Sequence, residues 1–199
     1  MKSLNVLGVS SSMREGSFGT MTVKIVLDTA QKYEAKARLL ELRKIGMPLF
    51  NPDSDSSIQS DMKLQKVTND VNWADAYILV SPDYHGSISG AMKNFLDYYW
   101  EEFAGKTFGY ICTSHEKGLT VMDQMRTAVR QCYGWSLPYG ISVNGQEDFN
   151  KVGEVTNSLL DKRLRMLARD LVVYGKLIRG QFLQDLSSDV IDTFVTRYR

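Results

Sequence analysis

Two short runs, Tyr77-Ile78-Leu79-Val80 and Tyr110-Ile111-Cys112, are continuously apolar where a strand with one wet face would alternate. Strands of that kind are covered on both faces and sit in the middle of a parallel sheet. Parallel neighbours need long crossovers, usually helical. The rest of the chain supplies them. Strand-like runs fall at residues 4–9, 38–42, 76–81 and 107–113, with a weaker one at 140–143, and helical periodicity separates them. Val23, Val26, Leu27 and Ala30 share one helix face, as do Met92, Phe95, Leu96 and Tyr99. Leu64, Val67 and Val71 form a shorter stripe, Met122, Met125 and Val129 another, and Leu160, Leu164, Leu167 and Leu171 a longer one. The pattern predicts an α/β fold of five strands and five helices, with helices packed on the sheet.

A chain of 199 residues, 43% of them hydrophobic, suits one domain spanning 1–199 with a full core. Residues 47–61 and 144–157 lack a clear period and read as surface loops. Ser158, with Asp161 three residues on, reads as the cap of the last helix. A net charge of +1 supplies no field for nucleic acid or an anionic membrane, which leaves small molecules or protein as partners. No apolar run is long enough to span a bilayer, so membrane insertion is not expected. Cys112 and Cys132 lack C-x-x-C spacing, and Cys112 lies in an apolar strand where a buried reduced thiol is the usual finding. A reducing, cytoplasmic location is expected, since residues 1–2 lead into the first strand without a signal-type stretch.

Residues 10–17, Ser-Ser-Ser-Met-Arg-Glu-Gly-Ser, stand between the first strand and the first helix. The opening N–H groups of a helix lack intrahelical partners and carry partial positive charge, so such a junction can hold a phosphate. Ser10, Ser11, Ser12 and Ser17 offer hydroxyls and Arg14 a charge. A plain serine cap is the equal alternative at this point. Ligands of open parallel sheets bind beyond the carboxyl ends of the strands, where strand order reverses. The loop after the third strand presents Pro82, Asp83, Tyr84, His85, Gly86 and Ser87, with Tyr84 able to lie against a flat ring. The loop after the fourth presents Ser114, His115 and Gly118, with Glu116 and Lys117 between them. Together they describe a phosphate socket beside a slot for a planar heterocycle.

Other features read as structural. Gly105-Lys106-Thr107 lacks the earlier glycine of a P-loop and opens a strand instead of a helix. His85 and His115 are expected to line a pocket, since no carboxylate or cysteine cluster at ligand spacing accompanies them and no metal site is predicted. Lys162, Arg163, Arg165 and Arg169 lie opposite a leucine stripe and read as a solvated helix face. Tyr98, Tyr99 and Trp100 read as core or interface.

These residues carry a resemblance. The chain is similar to the NADPH-dependent FMN reductase family of flavodoxin-like proteins, which includes quinone, azo-dye and chromate reductases. That family's phosphate loop reads G-S-x-R-x-x-S, and residues 11–17 fit it except that Ser11 replaces glycine. Its ring loop reads P-x-Y-N-x-S-x-x-G-x-L-K-N-x-x-D. Pro82, Tyr84, Ser87, Gly90, Lys93, Asn94 and Asp97 match, while His85 replaces asparagine and Met92 replaces leucine. Residues 47–53 are similar to its L-P-L-Y-N-x-D segment. The third loop departs: Ser114-His115-Glu116-Lys117-Gly118 stands for a glycine-rich S-x-G-x-x-G-G.

The resemblance implies a three-layer flavodoxin-like sandwich with a five-stranded parallel sheet of order 2-1-3-4-5 and helices on both faces. It implies FMN as cofactor, with its phosphate on Ser12, Arg14 and Ser17 and its ring against residues 82–87 and 114–118. The flavin would take a hydride from NAD(P)H and pass electrons to a quinone, free flavin, azo compound, metal ion or oxygen, with no catalytic side chain of the protein's own. A homodimer or homotetramer is implied too. The departed third loop leaves a non-catalytic FMN-binding sensor or interaction module as the alternative. A flavodoxin-type electron carrier is the other alternative, although such carriers are usually acidic and use a threonine-rich phosphate loop.

Overall fold

The two apolar runs are the centre of the sheet. In the computed structural model, which describes residues 3–53 and 61–199, they form β3 (Ala76–Pro82) and β4 (Thr107–Thr113). Every residue of β3 is buried, and the two pair in parallel from Ala76 opposite Thr107 to Pro82 opposite Thr113. β1 (Asn5–Ser10) lies on the other side of β3, and β2 (Lys36–Glu41) beyond β1. The last position is shared by β5 (Trp135–Ser136), which pairs with the start of β4, and β6 (Ile141–Val143), which pairs with its end. The order is therefore β2-β1-β3-β4-β5, with β6 as a sixth strand on β4. β5 extends the five-strand reading. Pro138, which has no N–H to donate, stands between the two short strands.

Seven α-helices stand among the described residues, α1 (Phe18–Gln31), α2 (Leu42–Ile45), α3 (Met62–Trp73), α4 (Gly90–Tyr98), α5 (Leu119–Gln131), α6 (Gly145–Asp148) and α7 (Ser158–Leu186), and the first five lie in the crossovers between strands. Side chains alternate across the pleat, so β3 feeds two cores. Ile78 and Val80 meet Val23 and Val26 of α1 and Leu164, Leu167 and Leu171 of α7 on one face. Tyr77 and Leu79 meet Val67 of α3, Phe95 of α4 and Met125 of α5 on the other. Gly8 permits the close seating of α1, since a Cβ there would stand 2.5 Å from Val23 Cγ2. The cap of α7 is Asn157, one residue before the expected Ser158; its side chain accepts from the N–H groups of Leu159 and Leu160.

Lys106 explains the Gly-Lys-Thr sequence. It is 4% exposed at the amino-terminal edge of the sheet, and its Nζ donates 2.9 Å to the Val71 carbonyl in the last turn of α3. The Tyr77 hydroxyl donates to the same oxygen at 2.7 Å. Together they satisfy a carbonyl the helix end leaves open. Burial pulls the Lys106 amine down to about 8.

The basic positions of α7 are exposed, with Arg165 forked onto Asp161 at 2.8 and 2.9 Å. Tyr99 is buried in the core and Trp100 is exposed. Both cysteines are free and buried. Residues 47–53 form no strand or helix, and the rest of the expected 47–61 loop, through residue 60, lies outside the described residues. Among the described residues no helix is long and apolar enough to cross a membrane.

Candidate functional site

β1 and β3 are neighbours although β2 separates them in the chain, so the loops leaving their carboxyl ends diverge and open a crevice. A cleft of about 930 Å³ occupies that place, within the usual span for cofactor pockets. It is lined from four directions: residues 12 and 14–19, residues 82–86, residues 113–120 and residues 144–146.

At one end the start of α1 faces the cleft. Ser17 caps the helix, its Oγ accepting from the Thr20 N–H at 3.2 Å, while Met21 N bonds the Ser17 carbonyl at 3.0 Å. Phe18 and Gly19, whose N–H groups precede the first intrahelical bond, line the cleft. Ser17 is thus both cap and cleft wall, so the two readings of this serine do not exclude each other. Gly16 turns the loop at φ +60°. Ser12 lines the cleft and its Oγ accepts from Arg14 N at 3.3 Å. The Arg14 side chain is exposed on the rim without an ion-pair partner among the described residues, whereas Glu15 pairs with Arg43 at 3.5 Å. Ser10 and Ser11 turn away from the cleft. Ser10 Oγ is buried against Thr20 Oγ1 at 2.8 Å, and Ser11 Oγ donates to the Val80 carbonyl at 3.0 Å.

The loop after β3 is a tight hairpin. Tyr84 N bonds Ser87 O at 3.0 Å and Ser87 N bonds Tyr84 O at 3.1 Å. The two residues between, His85 and Gly86, have φ of +58° and +75°, as a type I′ turn requires. Asparagine and glycine favour such positions, and histidine tolerates them better than most side chains. Asp83 ties the turn down: Oδ1 accepts from Gly86 N at 2.7 Å. Thr120 Oγ1 donates to the Gly86 carbonyl at 2.9 Å. Ser87 does not line the cleft, since its Oγ donates to Gln124 Oε1 at 3.0 Å. Tyr84 is 43% exposed on the cleft wall.

The loop after β4 is held from three sides. Ser114 N bonds Val143 O at 3.0 Å, Ser114 Oγ donates to Asp83 Oδ2 at 3.0 Å, and Ser142 Oγ donates to the Glu116 carbonyl at 3.1 Å. Gly118 closes it at φ +57°, so near Cys112 that a Cβ would stand 2.4 Å from the sulfur. Burial, aided by the Asp83 carboxylate, pushes the Cys112 thiol up to about 12. It stays a neutral thiol under the cleft floor and supplies no thiolate. His115 and Lys117 also line the cleft.

Of the sequence-predicted residues, the cleft gathers Ser12, Arg14, Ser17, Pro82, Asp83, Tyr84, His85, Gly86, Ser114, His115 and Gly118, and leaves Ser10 and Ser87 behind its walls. It adds Phe18, Gly19, Asn144, Gly145 and Gln146. Gly145 permits Phe18 to pack there, since a Cβ would stand 2.0 Å from its ring. The signal for the last three was the end of the weak fifth strand run, whose following loop must also reach the carboxyl edge. Among the described residues no group of three or more potential metal ligands is present.

The donor set suits a long, flat anion: free helix-start N–H groups and a guanidinium at one end, and loop backbone, an aromatic and two imidazoles at the other. The profile of the family described as NADPH-dependent FMN reductase matches residues 4–148. A relative from Staphylococcus saprophyticus, an FMN-dependent NADPH-azoreductase, is 27% identical over 85% of this chain and 90% of its own length. An NAD(P)H-dependent FAD/FMN reductase of Geobacillus thermodenitrificans is 25% identical over 85% of this chain and 92% of its own. Among solved structures, FerB of Paracoccus denitrificans, a flavoenzyme NAD(P)H:(acceptor) oxidoreductase, superposes with a TM-score of 0.72 at 18% identity. That alignment covers 87% of this chain and 98% of FerB. At that identity the likeness concerns the fold.

Proposed function

The chain belongs to the NADPH-dependent FMN reductase family of flavin-dependent oxidoreductases, and on that premise we propose that the cleft holds FMN and serves reduction of a planar azo or quinone acceptor by NAD(P)H. The observation that carries this reading is the continuity of the cleft from the α1 start to the loops after β3 and β4. A ligand with a phosphate at one end and a flat ring at the other matches both ends at once. Bound FMN supplies hydride acceptance and electron transfer that no side chain here provides.

The residues have separate tasks under this reading. Phe18 and Gly19 N–H groups, with Ser12, Ser17 and Arg14, bind the phosphate dianion, to which helix-start donors and a guanidinium are matched. Residues 82–86 and 114–118 position the ring. Most of their backbone N–H groups are spent on holding the loops, and those of His85, His115 and Lys117 are left as fixed dipoles for negative charge that gathers on reduction, so little reorganisation is needed when the charge arrives. Tyr84 walls one side, and the half-open cleft leaves room for a flat second substrate. The choice of an azo or quinone acceptor is supported by that flat space and by the azoreductase activity named for the staphylococcal relative.

Anaerobic addition of NADPH to the FMN-loaded protein tests the reading. The flavin absorption should bleach and return when an azo dye or quinone is added. An oxidised spectrum that persists under excess NADPH and NADH would reject it.

A further inference from the structure

Four buried groups join the start of the loop after β1 to the end of β3 and to the cap of α4. Met92 N donates to Ser89 Oγ at 3.2 Å, Ser89 Oγ donates to Ser11 Oγ at 2.8 Å, and Ser11 Oγ donates to the Val80 carbonyl at 3.0 Å. The Ser89 hydroxyl also lies 3.4 Å from the Ser11 carbonyl, a longer second acceptor, and through the shorter hydroxyl-to-hydroxyl bond the chain runs in a single direction. Ser11 and Ser89 are 0% and 2% exposed, and they lie 78 residues apart in sequence. Ser89 caps α4, the helix that follows the β3 loop, while Ser11 begins the loop that leads to α1. A further bond fixes Ser89 from behind: its N–H donates to Ser81 Oγ at 3.0 Å.

We propose that Ser11 and Ser89 are positioning residues that set the distance between the phosphate end and the ring end of the FMN site. The inference rests on the functional reading above. Neither residue lines the cleft, so neither touches the ligand. Their bond instead crosses between β1 and β3 at the point where the strand order reverses, and makes the two loops one body. A ligand engaging only one end is indifferent to that bond. One engaging both benefits, because its second contact forms at a distance already fixed.

The test is binding, read without NAD(P)H, of three probes: FMN, riboflavin with the ring alone, and ribitol 5-phosphate with the phosphate alone. Ser11→Ala leaves the Val80 carbonyl satisfied by Ser11 N, so the fold should hold. FMN should bind about three- to tenfold more weakly, with riboflavin and ribitol 5-phosphate each within about twofold of wild type. Adding Ser89→Ala to Ser11→Ala should cost FMN less than Ser89→Ala alone, because the bond is already gone. If Ser11→Ala does not fold, Ser11→Gly serves in its place. Equal weakening of FMN and riboflavin, or unchanged FMN binding, overturns the proposal. Wild-type protein that binds none of the three rejects the functional reading itself, a separate outcome.

Discussion

Ser114 Oγ donates to Asp83 Oδ2 at 3.0 Å, joining the loop after β4 to the loop after β3 across the ring end of the cleft. The other carboxylate oxygen takes Gly86 N at 2.7 Å, so one side chain holds the hairpin turn and the neighbouring loop together. Asp83→Ala releases both and leaves the phosphate end intact. FMN and riboflavin should weaken alike, by about tenfold for two lost anchors, with ribitol 5-phosphate unaffected. Fluorescence titration of the three probes reads this directly, and selective loss of FMN alone would count against the assignment of Asp83 to the ring end.

Arg14 predicts the opposite split. Its guanidinium stands on the rim without an ion pair among the described residues, so Arg14→Ala should leave the unfolding midpoint unchanged. FMN should lose about tenfold or more in affinity, ribitol 5-phosphate should weaken in step, and riboflavin should bind as before. Equal losses for FMN and riboflavin would make Arg14 a support of the loop and not a phosphate ligand.

Why one hydroxyl reaches the cleft and its neighbour does not follows from distance in sequence. Residues 10–12 are three serines, and composition treats them alike. Ser10 is the last residue of β1 and its partner Thr20 lies in α1. Ser11 is claimed by Ser89 and Val80, far along the chain, and only Ser12 is left for the cleft. Tertiary partners decide this, and no local period encodes them. The central strands were legible because burial on both faces leaves a run without polar breaks. β5, at two residues, is too short to carry a period. The α7 cap was misplaced by one because Asn157 and Ser158 are both good caps and only the fold selects between them. The loop motifs were legible because strand ends bring them together whatever their separation, which is how residues 12 and 14–17, 82–86 and 114–118 come to line one cleft.

Lys106 gives a pH prediction. Its amine falls from an ordinary 10.5 to about 8 in the folded protein because burial disfavours the charge. Between those values the unfolded chain binds more protons than the folded one, so this group's contribution rises with pH. It is fully present above 10.5 and is lost as pH falls through 8. Lys106→Met removes the titration and keeps the volume. Wild-type stability relative to this variant should therefore increase by on the order of 3 kcal/mol between pH 7.5 and 10.5. Urea unfolding of both proteins at the two pH values measures it, and tyrosine and cysteine titrations common to both cancel. A difference that does not change with pH would show that the amine keeps an ordinary affinity for its proton in the folded protein, as a solvated lysine does.

Gly118 and Cys112 meet under the third loop, and their contact should be measurable as a coupling. At φ +57° any L side chain is strained, and a Cβ would lie 2.4 Å from the Cys112 sulfur and 2.9 Å from its Cβ. Gly118→Ala should destabilise the protein by about 2–4 kcal/mol, part from backbone strain and part from overpacking. Cys112→Ala removes the nearer obstacle and not the backbone strain. In the Gly118→Ala background it should cost about 1 kcal/mol less than in wild type, or even stabilise. Denaturant unfolding of the four proteins completes the cycle. The same loop carries His115 and Lys117 to the cleft wall, so Gly118→Ala should also weaken riboflavin binding, and Cys112→Ala should restore part of it. Additive stabilities together with unchanged riboflavin binding would mean that the loop can lift off β4 without disturbing the ring end.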